Sequence, residues 1–361
     1  MDQLVKYERL SSQINFGRNT NNFDALRLFA AFLVFFSHCY PLFGLPEPEF
    51  LSSRNGSKPI SFGAIAVTIF FVISGFLIPG SWEKRSEVFP YLRNRVLRIY
   101  PGLMVNFFIV YLLVLPFFCT ISAEEYFQKI VFSMSWFFFF IKNLLLMRSV
   151  DLSIAFPNNP VPNMVNGPLW TLPYEFMMYI AVILAGITVG FRKYFFFIPL
   201  FFFFYFVFFS PYPVTEADLS ALFFGGFISG TSLYVFRNQV PYNFPLFFLA
   251  LFTLFVLSFG GFYNLSLFLL SLAYIVVYIA FCKLPYVSSA GRFGDFSYGV
   301  YIYGWPVQQV FSPVFFEEGQ FWTFVAVSLF TTIIFAFFSW HLVERQALSL
   351  KRSFSSTGKR E

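Results

Sequence analysis

Runs of about twenty apolar residues recur along nearly the whole of this chain. A helix of that length crosses the hydrocarbon core of a bilayer. At that depth only helices and closed barrels satisfy their own backbone. Only 12% of the 361 residues are charged and 58% are apolar, whereas soluble domains carry about 25% charged residues. We therefore expect an all-α integral membrane protein of about ten transmembrane helices. The spans fall near 22–43, 61–80, 100–119, 169–190, 194–210, 219–236, 244–260, 264–282, 296–313 and 321–340. Segment 130–147 is apolar but interrupted by Lys142, and we place it as a helix lying on the membrane or dipping into it.

The basic residues test this topology. Ten spans put both termini on one side, where 18 Lys and Arg fall: three in 1–21, five in 81–99, two at 192–193, one at 237, two in 283–295 and five in 341–361. The opposite side holds five, and Arg27 lies inside the first span. That asymmetry makes the termini cytoplasmic by the positive-inside rule. Counting 130–147 as a span would destroy it. The expected organisation is a cytoplasmic segment 1–21, a membrane domain 22–345 with an exterior loop near 120–168, and a basic, disordered tail 346–361. No cleaved signal peptide is expected. The net charge of +6 resides in short loops beside the spans, which suits membrane lipids and excludes nucleic acid as a partner. Cys39, Cys119 and Cys282 have no metal-ligand spacing, so no metal is expected and they read as apolar fillers. No internal repeat is visible, which argues against an inverted-repeat transporter.

Four stretches carry chemistry. In "RLFAAFLVFFSH" at 27–38, Arg27 and His38 are eleven residues apart. That is three turns plus about 20°, so they share a helix face and are separated by about 16 Å along the axis. Asp24, three residues before Arg27, can pair with it. A snorkelling arginine and a structural histidine are the plain alternative. In "GPLWTLPYE" at 167–175, Glu175 is a carboxylate at membrane depth, a functional candidate by default. Pro168 and Pro173 disturb the helix around Trp170, and an arginine partner would give Glu175 a structural role instead. In "YLRNRVLRIYP" at 91–101, Arg95 and Arg98 share a face, with Arg93 nearby. Clustered guanidiniums suit phosphate, and a lipid-headgroup anchor is the alternative. Ser74 and Gly75 in "FFVISGFL" permit close helix approach. In "GDFSYGVYIYGWP" at 294–306, Tyr298, Tyr301 and Trp305 lie where interface belts form.

Taken together, these stretches resemble the membrane-bound acyltransferase family 3, the bacterial O-acyltransferases that modify surface polysaccharides. "FDALRLFAAFLVFFSH", "FFVISGFLI", "RVLRIYP", "GPLWTLPYEF" and "SWHLVERQ" follow that family's order over about residues 22–345. Two positions depart from it. The family often has His where this chain has Gly304, and His341 stands where other members commonly have Arg or another residue. His341 is given no catalytic role.

The resemblance implies an enzyme of the bacterial inner membrane. It would transfer an acyl group, acetyl in the first instance, from cytoplasmic acetyl-CoA to a hydroxyl of a polysaccharide or lipid-linked glycan such as O-antigen. It carries over His38 as general base with Glu175 as its catalytic partner, Arg27, Arg95 and Arg98 as acyl-CoA contacts, and Asp24, Ser74, Trp170, Tyr298 and Tyr301 as site lining. Direct attack and an acyl-histidine intermediate both suit His38. Two readings from other classes compete: a proton-coupled transporter of sugars, lipids or acyl groups, and a non-catalytic subunit of a polysaccharide assembly complex.

Overall fold

The computed structural model describes residues 8–15, 20–51, 59–133, 137, 140–142, 152–188, 216–259, 264–284, 286–292, 294–317 and 319–356. In chain order the main helices are α1 (Phe23–Leu42), α2 (Phe62–Lys84), α3 (Val88–Phe108), α4 (Leu172–Thr188), α5 (Glu216–Val235), α6 (Phe244–Phe259), α7 (Leu265–Phe281), α8 (Ser297–Phe311), α9 (Phe321–Ser339) and α10 (Arg345–Ser356). The expected span 194–210 and most of 130–147 lie outside the described residues.

Among the described residues, five helical stretches are long and apolar enough to cross a bilayer: Phe23–Leu42, Phe62–Lys84, Val88–Phe117, Gly167–Ile187 and Phe321–Lys351. Three shorter apolar helices correspond to α5, α6 and α7. This is the signature of a multi-pass membrane protein. Helix α8 differs: it is only 15 residues long and rich in Tyr and Gln, and Tyr301 through Gln309 are all buried. Its polar side chains find partners in protein, as polar groups at membrane depth must.

Three features depart from the sequence expectations. Helix α3 begins at Val88, not near residue 100, so the arginine-rich stretch forms its first turns. Pro90 sits in the opening turn, where a missing N–H costs nothing. The tail expected to be disordered is helical as far as Ser356. It follows a π-helical turn at Trp340–Glu344 that prolongs α9 without a break. Finally, two short antiparallel strands, Glu49–Leu51 and Ile60–Ser61, interrupt an otherwise helical fold. Ser61 caps α2 by accepting from the Ala64 N–H at 3.2 Å.

The chain divides into two compact units. The first comprises Met1–Ala30, Glu49–Val88 and Met177–Phe293, and the second Ala31–Pro48, Phe89–Phe176 and Gly294–Glu361. In the first, α2 and α5 approach through glycine. A Cβ on Gly75 would lie 2.0 Å from the Phe227 carbonyl oxygen, and one on Gly230 would lie 2.2 Å from that of Val72. The Thr231 hydroxyl bonds the Gly75 carbonyl across this seam at 2.9 Å. The N-terminal segment is tied down, with the Leu10 N–H donating to the Val240 carbonyl. Asn22 donates to the Ile279 and Cys282 carbonyls. Asp24 and Arg27 pair at 3.2 Å, as their spacing suggested.

The second unit is built around Phe107, Tyr111, Leu115, Tyr126, Phe156 and Val165, all buried. Here the described part of the expected exterior loop is ordered against the end of the α3 stretch. Thr120 N–H donates to the Ile154 carbonyl, and Phe156 N–H to that of Phe118.

Candidate active site

Within the second unit, helix α8 organises the candidate site. Pro306 has no N–H, so the Ile302 carbonyl one turn earlier loses its helical donor. Two buried amides replace it: Asn106 Nδ2 at 3.0 Å and Asn166 Nδ2 at 2.9 Å. Asn166 Nδ2 also donates to Asn106 Oδ1 at 3.2 Å. A defect in one helix thereby fixes α3 and the segment leading into α4 against it. Gln309 Nε2 donates to the Val161 and Met164 carbonyls, and Asn159 Nδ2 donates to Gln309 Oε1. The stretch from Asn159 to Asn166 is thus laced to α8 despite its prolines and asparagines.

His38 lies in the last turns of α1. Its ring meets the Trp305 indole edge to face, with centroids 5.0 Å apart. The indole is itself fixed: Trp305 Nε1–H donates to the Met164 carbonyl at 3.1 Å. It also lies so close to Gly167 that a Cβ there would come within 3.2 Å of the ring. Gln308 Nε2 donates to the Phe35 carbonyl at 2.9 Å and lies 3.0 Å from Cys39 Sγ, bracketing His38 along α1. The Ser37 hydroxyl donates to the Glu47 carboxylate. His38 is half-buried. Among the described residues its imidazole carries no hydrogen bond or ion pair, so its nitrogens remain available to a substrate. At Gly304, where the resemblance led one to look for histidine, Phe35 takes up the space: a Cβ on Gly304 would stand 3.0 Å from its ring.

Glu175 lies one turn after Thr171, on the same side of its helix. The Thr171 hydroxyl is 2.6 Å from the Tyr301 hydroxyl, and Tyr301 donates to the Pro168 carbonyl at 2.9 Å. Glu175 is within electrostatic range of Tyr301 and Tyr298. It is not hydrogen-bonded to His38. The reason lies in α8: Trp305 meets His38 while Tyr301, four residues earlier and about 6 Å along the axis, meets the start of the Glu175 helix. Trp170 packs edge-on against Tyr174 at 5.6 Å. Tyr301 is a buried, hydrogen-bonded strut and not a belt residue, and Tyr298 donates to the Ile99 carbonyl at 2.8 Å. His341 packs between Phe296 and Phe337.

The arginines of α3 have different surroundings. Arg95 lies over the Tyr91 ring at 5.2 Å. Arg98 Nη2 pairs with Asp295 Oδ2 at 2.5 Å. The other Asp295 oxygen accepts from the Ser297 N–H and hydroxyl at the start of α8. Arg98 therefore fastens α3 to the start of α8. Arg98→Ala is expected to cost stability, about 1.5–3 kcal/mol for a charge-assisted bond, visible as a lower unfolding temperature in detergent. An unchanged unfolding temperature for Arg98→Ala would contradict this role.

The structure thus gathers His38, Trp170, Glu175, Arg95, Arg98, Tyr298 and Tyr301 in one unit. Asp24, Arg27 and Ser74 belong to the first. Residues that the sequence reading passed over are Asn106, Asn166, Gln308 and Gln309, and it read Trp305 only as an interface residue. Amides inside apolar runs were the available signal.

Comparison with known proteins follows the same line. The family model described as an acyltransferase domain, acyltransferase 3, matches residues 20–341. The chain is 30% identical to an O-acetyl transferase of Shigella phage Sf6 over 91% of this chain and 96% of that protein. It is 44% identical to nodulation protein 10 of Rhizobium leguminosarum bv. viciae over 24% of this chain and 23% of that one. It is 27% identical to acyltransferase MdmB of Streptomyces mycarofaciens over 43% of this chain and 36% of that one. No solved structure matches.

Proposed function

Since the chain belongs to the acyltransferase 3 family, we propose that this membrane acyltransferase moves an acetyl group from acetyl-CoA to a hydroxyl of a cell-surface polysaccharide such as O-antigen. The observation that carries this reading is the end-to-end similarity to the Sf6 O-acetyl transferase. The proposed setting is the bacterial inner membrane, with both termini cytoplasmic, acetyl-CoA entering from that side and the acceptor from the other. The membrane domain is taken as 22–345.

In the mechanism, His38 accepts the proton of the acceptor hydroxyl. The oxygen attacks the thioester carbonyl, the new C–O bond forms, and the C–S bond breaks. The imidazolium returns its proton to the departing thiolate, giving the acetyl ester and CoA. General base catalysis of this kind contributes about 10²–10⁴-fold. That the His38 imidazole carries no hydrogen bond among the described residues supports this role. Arg95 binds donor phosphate, and Arg98 adds positive charge while holding Asp295. Glu175 is the second catalytic group, a carboxylate that stabilises the imidazolium or accepts a hydrogen bond from the sugar. Trp170, Tyr298 and Tyr301 line the site.

The reading is tested by incubating the purified full-length protein with radiolabelled acetyl-CoA and polysaccharide acceptor. Labelled acceptor and free CoA in equal amounts are expected. Substrate exchange across vesicles without chemistry would replace the proposal with transport. Glu175→Gln separates the two roles of the carboxylate. Loss of its charge should lower turnover at least about ten-fold if it stabilises the imidazolium. An effect confined to acceptor KM would assign it to sugar binding, because Gln still accepts a hydrogen bond.

A further inference from the structure

Helix α8 meets the second half of α1 along one stripe of residues, and His38 lies in the middle of it. A Cβ on Gly304 would stand 3.0 Å from the Phe35 ring. Trp305 meets the His38 ring at 5.0 Å. Gln308 Nε2 donates to the Phe35 carbonyl at 2.9 Å and to Cys39 Sγ at 3.0 Å. Both of its protons are thus used on the turn of α1 that carries His38. Ser312, just past α8, donates to the Leu42 carbonyl at 2.6 Å. Both stretches belong to the second unit.

Helix α1 needs such bracing there. Pro41 lies inside it, three residues after His38, and has no N–H to donate back to the carbonyl of residue 37. The helix loses one of its own bonds beside the imidazole. Gln308 holds the turn on one side of this gap and Ser312 the other. Gln308 is fully buried, and its Oε1 has no hydrogen-bond partner among the described residues. A side chain kept only for packing would be apolar at such a position, because a buried carbonyl without a partner is destabilising. The Phe35 carbonyl does not depend on Gln308, since the Cys39 thiol also donates to it at 3.4 Å. What the amide supplies is the placement of α1.

We propose that Gln308 is a positioning residue for acetyl transfer: its amide N–H groups hold the last turns of α1 so that the His38 imidazole meets the acceptor hydroxyl. This rests on reading His38 as the general base. Misplacing a reacting group by about 1 Å can cost about 10²-fold in rate, so a partial loosening of this turn is felt in the chemical step.

Initial rates of the purified full-length protein with radiolabelled acetyl-CoA and acceptor test this. Gln308→Met keeps the length and removes the donors. It should lower kcat about ten-fold, leave the KM for donor and acceptor unchanged, and unfold in detergent close to wild type. Gln308→Asn keeps an amide but withdraws it by one methylene, and should give the same loss. In the His38→Ala background Gln308→Met should lower the residual rate by less than about two-fold, because a residue that acts through another has no effect once that one is gone. A ten-fold loss in both backgrounds overturns the proposal and leaves His38 as the base. So does wild-type kcat in both Gln308 variants. Failure of both variants to fold makes Gln308 a structural residue and also overturns it. Near-normal turnover of His38→Ala removes the base, and this proposal with it.

Discussion

His38→Ala is expected to lower acetyl transfer by about 10²–10⁴-fold, the usual contribution of a general base, while the protein inserts and unfolds as the wild type does. The stability half of this expectation follows from its surroundings. The imidazole carries no hydrogen bond among the described residues, and its contact is the edge-to-face meeting with Trp305 at 5.0 Å. Such ring pairs are worth about 0.5–1.5 kcal/mol. Trp305 keeps its own bond to the Met164 carbonyl when the imidazole is removed. Replacing a titratable group by alanine also favours membrane insertion. Initial rates with labelled acetyl-CoA, measured alongside detergent unfolding, separate chemistry from folding. Near-normal turnover in a normally folded variant would remove His38 as the base. Lost turnover together with lost folding would make it a structural residue.

Gly75→Val should prevent the first unit from assembling. The α2–α5 seam has no room for a side chain, since even a Cβ would stand 2.0 Å from the Phe227 carbonyl oxygen and 2.9 Å from its Cα. The obstacle is backbone, which cannot rotate aside, so the helices must part by about 1 Å or more to reach ordinary contact distance. Parting also stretches the Thr231 bond to the Gly75 carbonyl and unstacks Phe71 from Phe223. Overpacking costs about 1–3 kcal/mol for added methylenes that side chains can absorb, and a backbone clash exceeds that range. The expected result is loss of the monodisperse peak in detergent size exclusion. Ser74→Ala, at the half-buried neighbouring position, is the control and should leave the peak unchanged. A stable Gly75→Val protein would mean that this seam does not form.

Sequence by itself determined the membrane class, because hydropathy and helix length are local properties that a bilayer reads directly. It located α1 to within a residue at each end, and it paired Asp24 with Arg27, whose spacing of three fixes their meeting on any helix. It singled out His38, Glu175 and the α3 arginines, since ionisable groups stand out against an apolar run. Residue spacing did not show what each of them would touch. Arg98 meets Asp295 across 197 residues, and His38 meets Trp305, a residue whose composition alone marked it as an interface aromatic. Glu175 follows Thr171 by one turn, and Thr171 joins Tyr301, one turn of α8 away from Trp305. The start of α3 was misplaced because charged residues lower hydropathy without breaking a helix. The helical tail was missed for the related reason that its polar composition hid a continuation of α9. Gly75 was legible as a small residue, but the glycines of α5 that complete the seam acquire meaning only when two helix faces are brought together. Pro306 is the clearest instance. Its missing N–H orphans the Ile302 carbonyl once α8 is formed, and only the tertiary structure decides that Asn106 and Asn166 satisfy it, because that choice depends on which helices come within hydrogen-bond reach.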